Sequence, residues 1–111
     1  MLGRGTGYNP DMKHSPELTG ILNRLRDLLP LIKEKYRVET LGVFGSYIRN
    51  EQKADSDIDI LVTFSDPPGL LKYIELENFL SDELGIKVDL VMKEALKPNI
   101  GERILSEVHT V

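Results

Sequence analysis

The stretch from Val38 to Phe64, VETLGVFGSYIRNEQKADSDIDILVTF, decides the fold. Val38 to Phe44 (VETLGVF) reads as a strand that is largely buried toward its end. Gly45-Ser46 punctuates it, and Tyr47 to Glu51 reads as a short helix. Gln52 to Ser56 is a polar loop. Ile58 to Phe64 (IDILVTF) is the strongest strand signal in the chain. Downstream, Asp66-Pro67-Pro68-Gly69 is a turn. Leu70 to Leu84 is helical, with Leu70, Tyr73, Ile74, Leu76, Leu80 and Leu84 as candidate core contacts and Gly85 as C-cap. Lys87 to Met92 is a third strand. Pro98 starts a last helix whose Ile100, Ile104, Leu105 and Val108 share a face.

Upstream, order is expected from Ser15, with Pro16 at the first helical position. Leu18, Ile21, Leu22, Leu25, Leu28, Leu29 and Ile32 keep a helical period. Pro30 lacks a backbone donor and clashes with the carbonyl four residues back, which predicts a kink or break there. Residues 1–14 carry Gly3, Gly5, Gly7 and Pro10 and no hydrophobic period, and read as a disordered tail before one domain over residues 15–111. Met12, close to the expected start of order, is the alternative to Met1 as natural start. The order α-β-α-β-α-β-α implies an α/β sandwich around a small sheet.

Composition narrows the function. The 111 residues suit a single domain able to bury a core without staples. No cysteine is present, which excludes disulfides, thiolate metal sites and a cysteine nucleophile. A net charge of -4 argues against electrostatic nucleic-acid binding. No apolar run approaches the ~20 residues that cross a bilayer, and no secretory h-region follows Arg4, so the expected compartment is the cytoplasm.

The chemistry gathers on acids. Asp57 and Asp59 lie two residues apart at the entry of the strongest strand, where i and i+2 side chains share a face. Paired like charges beside a core call for a cation, and oxygen-only ligands favour Mg²⁺ or Mn²⁺. Asp89, between Val88 and Leu90, can complete a three-carboxylate cluster if its strand lies beside the second. Such a cluster can hold two divalent ions ~3.5–4 Å apart for in-line displacement at phosphorus. An EF-hand is excluded: Asp55, Asp57 and Asp59 match its first ligand positions, but Ile60 and Asp66 stand where glycine and glutamate are required. Gly45-Ser46, where a strand turns into a helix, offers close backbone approach and a hydroxyl to phosphates, and Arg49 follows on the same helical face. It is not a Walker loop. His14 and His109 lack a metal partner at ligand spacing. Tyr36, Tyr47 and Tyr73 read as packing or interface residues.

In combination, LGVFGSYIRNE, SDIDILV and KVDLV resemble the minimal nucleotidyltransferase (MNT) family of the DNA polymerase beta-like nucleotidyltransferase superfamily, over about Leu18 to Val108. The resemblance implies a nucleotidyltransferase fold with a small mixed sheet flanked by helices. It implies that Gly45, Ser46 and Arg49 bind the triphosphate of ATP, and that Asp57, Asp59 and Asp89 are catalytic and bind two Mg²⁺ ions. Asn50 replaces the glycine of the family's G-S-x-x-R-G pattern, and asparagine tolerates the left-handed conformation the turn needs. Larger enzymes of the superfamily carry a further domain that holds the acceptor; here the acceptor is expected from outside. The resemblance points to an antitoxin that transfers AMP to a tyrosine of a HEPN-domain ribonuclease toxin, in a hetero-oligomer with it or as a homo-oligomer. Two alternatives stand beside this: a non-catalytic, toxin-binding antitoxin, and a nucleotidyltransferase for a small hydroxylated molecule such as an aminoglycoside.

Overall fold

A computed structural model describes residues 16–111. The expected disordered tail, residues 1–14, lies outside the described residues, as does His14. The elements are α1 (Pro16–Tyr36), β1 (Val38–Phe44), α2 (Ser46–Arg49), β2 (Ile58–Phe64), α3 (Leu70–Leu84), β3 (Val88–Met92), a 3-10 turn (Lys93–Ala95), α4 (Pro98–Glu107) and β4 (His109–Thr110). One sheet has the order β3-β2-β1-β4. β1 runs antiparallel to β2 and to β4, and β2 runs parallel to β3, so the α/β sheet is mixed. Among the described residues no helix is long and apolar enough to cross a membrane.

The core forms where α1 and α3 cover one sheet face. Leu18, Leu25 and Ile32 from α1 and Leu76 and Leu80 from α3 meet Leu41, Val43, Ile58, Ile60, Val62 and Val88, all buried. Alternation along β2 sends Ile58, Ile60 and Val62 into this core and Asp59 to the opposite face. Two side chains tie the helices together: Tyr36 Oη donates to Glu75 (2.9 Å), and Arg24 pairs with Glu83.

α1 continues without a break through Pro30, against expectation. Pro30 is exposed, and Leu28, Ile32 and Tyr36 on the other side keep the helix pinned to the core. That burial outweighs the ~3 kcal/mol proline penalty. In α3 the expected contacts Leu70 and Ile74 are exposed, because the side that meets the core is the one carrying Tyr73, Leu76 and Leu80. The last helix also differs. Val108 has left it with extended angles, and Ile100 and Leu105 are exposed, so the expected apolar face does not form core. The chain instead turns into β4, unforeseen, which pairs Thr110 with Gly42 and His109 with Val43. Gly42 permits this approach: a Cβ there would crowd Val108 Cγ2 at 2.5 Å.

α3 also closes the open edge of the sheet. Ser81 Oγ accepts from Val88 N (3.0 Å), a Glu77 carboxylate oxygen accepts from Leu90 N (2.9 Å), and Tyr73 donates its hydroxyl to the Leu90 carbonyl. Backbone groups that could template another strand are thereby occupied. Tyr36 and Tyr47 are buried, so all three singled-out tyrosines serve packing or edge closure.

Candidate active site

Strand register brings the singled-out residues together. Phe44 pairs with Asp59 across β1 and β2, and Asp59 with Asp89 across β2 and β3. Asp59 and Asp89, in register on parallel neighbours, project from the same face, away from the α1–α3 core. Gly45 follows Phe44 directly and folds over this row. Its φ of 82° and ψ of -150° suit glycine alone. A Cβ there would overlap the Asp59 carboxylate, with Cγ only 3.1 Å away. Glycine is thus required twice at one residue, by conformation and by contact with an acid.

Asp57 is exposed, just ahead of β2. A tight turn sets it there: Ser56 N donates to Lys53 O (3.0 Å), and Lys53 N donates back to Ser56 Oγ (2.8 Å). Asp59 is half-buried, and its carboxyl is pushed up to about 6, first by burial, then by the charges of Asp89 and Asp57, against the lowering pull of Arg49. The charges of both Asp57 and Asp89 thus reach Asp59.

α2 begins at Ser46, directly after Gly45. Arg49 N and Ile48 N both donate to Gly45 O (3.1 and 3.0 Å), which folds the glycine loop into a single tight turn. Asn50 ends α2 at φ 58°, ψ 40°, the left-handed conformation expected from the motif. The guanidinium of Arg49 is held by two acids of its own chain: Nε donates to Glu51 (3.0 Å), and Nη1 lies 3.0 Å from both oxygens of Glu107. Glu107 Oε2 also accepts from Gly45 N at 2.8 Å. Glu107 escaped the sequence reading. It lies 62 residues from Gly45, and an acid at the end of an amphipathic helix carries no local signal.

Among the described residues no group of three or more His, Cys, Asp or Glu side chains stands ready as a metal cage. The donors nevertheless suit a hard cation. They are carboxylate oxygens, one with its charge raised in cost by burial and by like neighbours, and magnesium completes its shell from phosphates and water rather than from an all-protein cage.

The model of the nucleotidyltransferase domain family matches residues 25–109. The chain belongs to this family. It is an enzyme of the nucleotidyltransferase class, and its four-stranded mixed sheet is the sheet of that fold. This nucleotidyltransferase is 54% identical, over 77 residues, to the protein adenylyltransferase MntA of Thermococcus cleftensis, covering 69% of this chain and 78% of that protein. Its fold is similar to a solved structure assigned as a minimal nucleotidyltransferase, at TM-score 0.72 and 33% identity, covering 88% of this chain and 98% of that one. It is also similar to a chain in the crystal structure of a toxin–antitoxin with AMP-PNP, at TM-score 0.62 and 27% identity, covering 86% of this chain and 72% of that one.

Proposed function

We propose that this nucleotidyltransferase moves AMP from ATP to a tyrosine hydroxyl of a HEPN-family ribonuclease toxin and so acts as its antitoxin. The observation that carries the reading is the row Gly45, Asp59, Asp89, with Asp57 at its mouth: a glycine loop pressed on a group of acids in which Asp59 feels the like charges of the other two. Likeness to a protein adenylyltransferase supports AMP as the transferred group, and likeness to a toxin–antitoxin chain supports a toxin as acceptor.

Each residue has a task in that chemistry. The acceptor oxygen forms a bond to the α-phosphorus of ATP, the bond from that phosphorus to the α,β-bridging oxygen breaks, and pyrophosphate leaves. Gly45 N–H, the Ser46 hydroxyl and Arg49 hold the phosphates in line. Asp89 takes up the hydroxyl proton. Asp57, Asp59 and Asp89 would hold Mg²⁺, or Mn²⁺, which when bound neutralises charge on the α-phosphate and the leaving pyrophosphate. The acceptor arrives on the partner, in a hetero-oligomer.

Intact-mass measurement on the toxin after incubation with this chain, ATP and Mg²⁺ tests the reading. The expected result is a gain of one or more AMP units with wild type and none with Asp57→Asn. No gain with wild type, with the toxin suppressed equally by both proteins, would assign neutralisation to contact alone.

A further inference from the structure

The donors assigned above to phosphate already serve a carboxylate of this chain. Glu107 ends α4 with its side chain only 20% exposed, one oxygen on Gly45 N–H at 2.8 Å and both on Arg49 Nη1 at 3.0 Å. Glu51 takes the Nε of the same guanidinium. A carboxylate and a phosphate present the same kind of anionic oxygen to an N–H or guanidinium donor. We propose that Glu107 is an internal stand-in for a phosphate, and that the phosphates of an incoming nucleotide must displace it from Gly45 and Arg49. The inference rests on the phosphate role given to Gly45 and Arg49 above.

Two structural features favour displacement over a permanent tie. Glu107 is the last residue of α4, and Val108 after it is already extended, so the carboxylate can swing away by side-chain rotation without moving the sheet. Its neighbourhood is also short of positive charge. Arg49 is shared between Glu107 and Glu51, while Asp57, Asp59 and Asp89 stand nearby. Glu107 already takes the single Gly45 N–H and the Arg49 Nη1, so a phosphate can reach those two groups only by replacing it, and the like charges of the two anions repel. The charge on Glu107 therefore sets nucleotide affinity, weakening it in the wild-type protein.

Calorimetry with ATP, tripolyphosphate and adenosine in Mg²⁺, on wild type and Glu107→Gln, tests this. Glutamine keeps the length and an oxygen for Gly45 N–H but gives Arg49 no charged partner. Expected is about tenfold tighter binding of ATP and tripolyphosphate, the size of one charge-assisted hydrogen bond, with adenosine unchanged. A merely structural role would not separate the phosphates from the nucleoside. Equal or weaker ATP binding by a folded Glu107→Gln, beside measurable wild-type binding, would overturn the role of Glu107 and leave the phosphate site standing. Failure of wild type to bind either ATP or tripolyphosphate would overturn the phosphate site itself, and the inference with it. Should thermal melting show Glu107→Gln unfolded, Glu107→Asp decides. One methylene shorter, it cannot span both donors, and about threefold tighter binding of ATP is expected; affinity equal to wild type would reject the inference.

Discussion

At Asp59, burial and two neighbouring carboxylates lift the carboxyl from an ordinary 3.8 to about 6. Folding thus favours the protonated form; the stability it contributes is complete below about 3.8 and is lost as pH rises through about 6. At pH 7.5 the ionised carboxylate costs the fold on the order of 1 kcal/mol once solvent screening of this partly exposed group is counted. With EDTA present, Asp59→Asn is therefore expected to melt several degrees above wild type at pH 7.5, and to lose that advantage below pH 4, where wild type is protonated as well. A lower melting temperature for the variant at pH 7.5 would show that Asp59 stabilises the fold as a charged group. Asp57, Asp59 and Asp89 were legible because acids at the mouth of an apolar strand are out of place there. Asn50 was legible because the motif demanded a left-handed residue. Arg37, with φ 59° between α1 and β1, was not: nothing marks a basic residue at a helix end as left-handed. Its carbonyl accepts from both Ser65 N and Ser65 Oγ, contacts made 28 residues away.

Elements whose signal is local came out as read. α3 and its Gly85 cap match to the residue, since an apolar period and a left-handed glycine (φ 67°) are written within fifteen residues. β4 could not be read: two residues that pair with Gly42 and Val43 near the end of β1 have no periodicity of their own. The exposure of Leu70 and Ile74 was hidden for a similar reason, because an apolar period does not show which of its residues the neighbouring elements will cover. Pro30 shows the opposite failure, a local rule overridden by tertiary burial. The helix around it is held by Leu25, Leu28 and Ile32, all buried, while Pro30 itself faces solvent. Pro30→Ala restores a donor and relieves the ring clash without touching the core. It is expected to stabilise the protein by about 1–3 kcal/mol in urea denaturation, short of the full proline penalty because the helix has already adapted. A neutral or destabilising result would mean that the proline is favoured here, through its restriction of the unfolded chain.

Across the whole molecule, the strand order β3-β2-β1-β4 gathers segments that are distant in sequence: Asp89 from β3, Asp59 from β2 with Asp57 just ahead of it, the Gly45 loop after β1, and Glu107 from the end of α4. The acids dominate this assembly. Arg49 is paired with Glu51 and Glu107 and acts on Asp59, which in turn feels the charges of Asp57 and Asp89, in a chain of net charge -4. A polyanionic nucleotide approaching without a divalent cation meets a repelling field, and salt weakens that field as the Debye length shrinks from about 10 Å at 0.1 M to about 3 Å at 1 M. In EDTA, ATP affinity is therefore expected to rise with NaCl, opposite to the usual behaviour of a phosphate site built on lysines and arginines. With Mg²⁺ the nucleotide carries less charge and the carboxylates gain a partner, so the salt dependence should flatten or reverse. Titrations at several NaCl concentrations, with and without Mg²⁺, measure both slopes. An ATP affinity that falls with salt in EDTA would mean that Arg49 and the Gly45 N–H outweigh the five acids, and that the site is built to attract phosphate unaided.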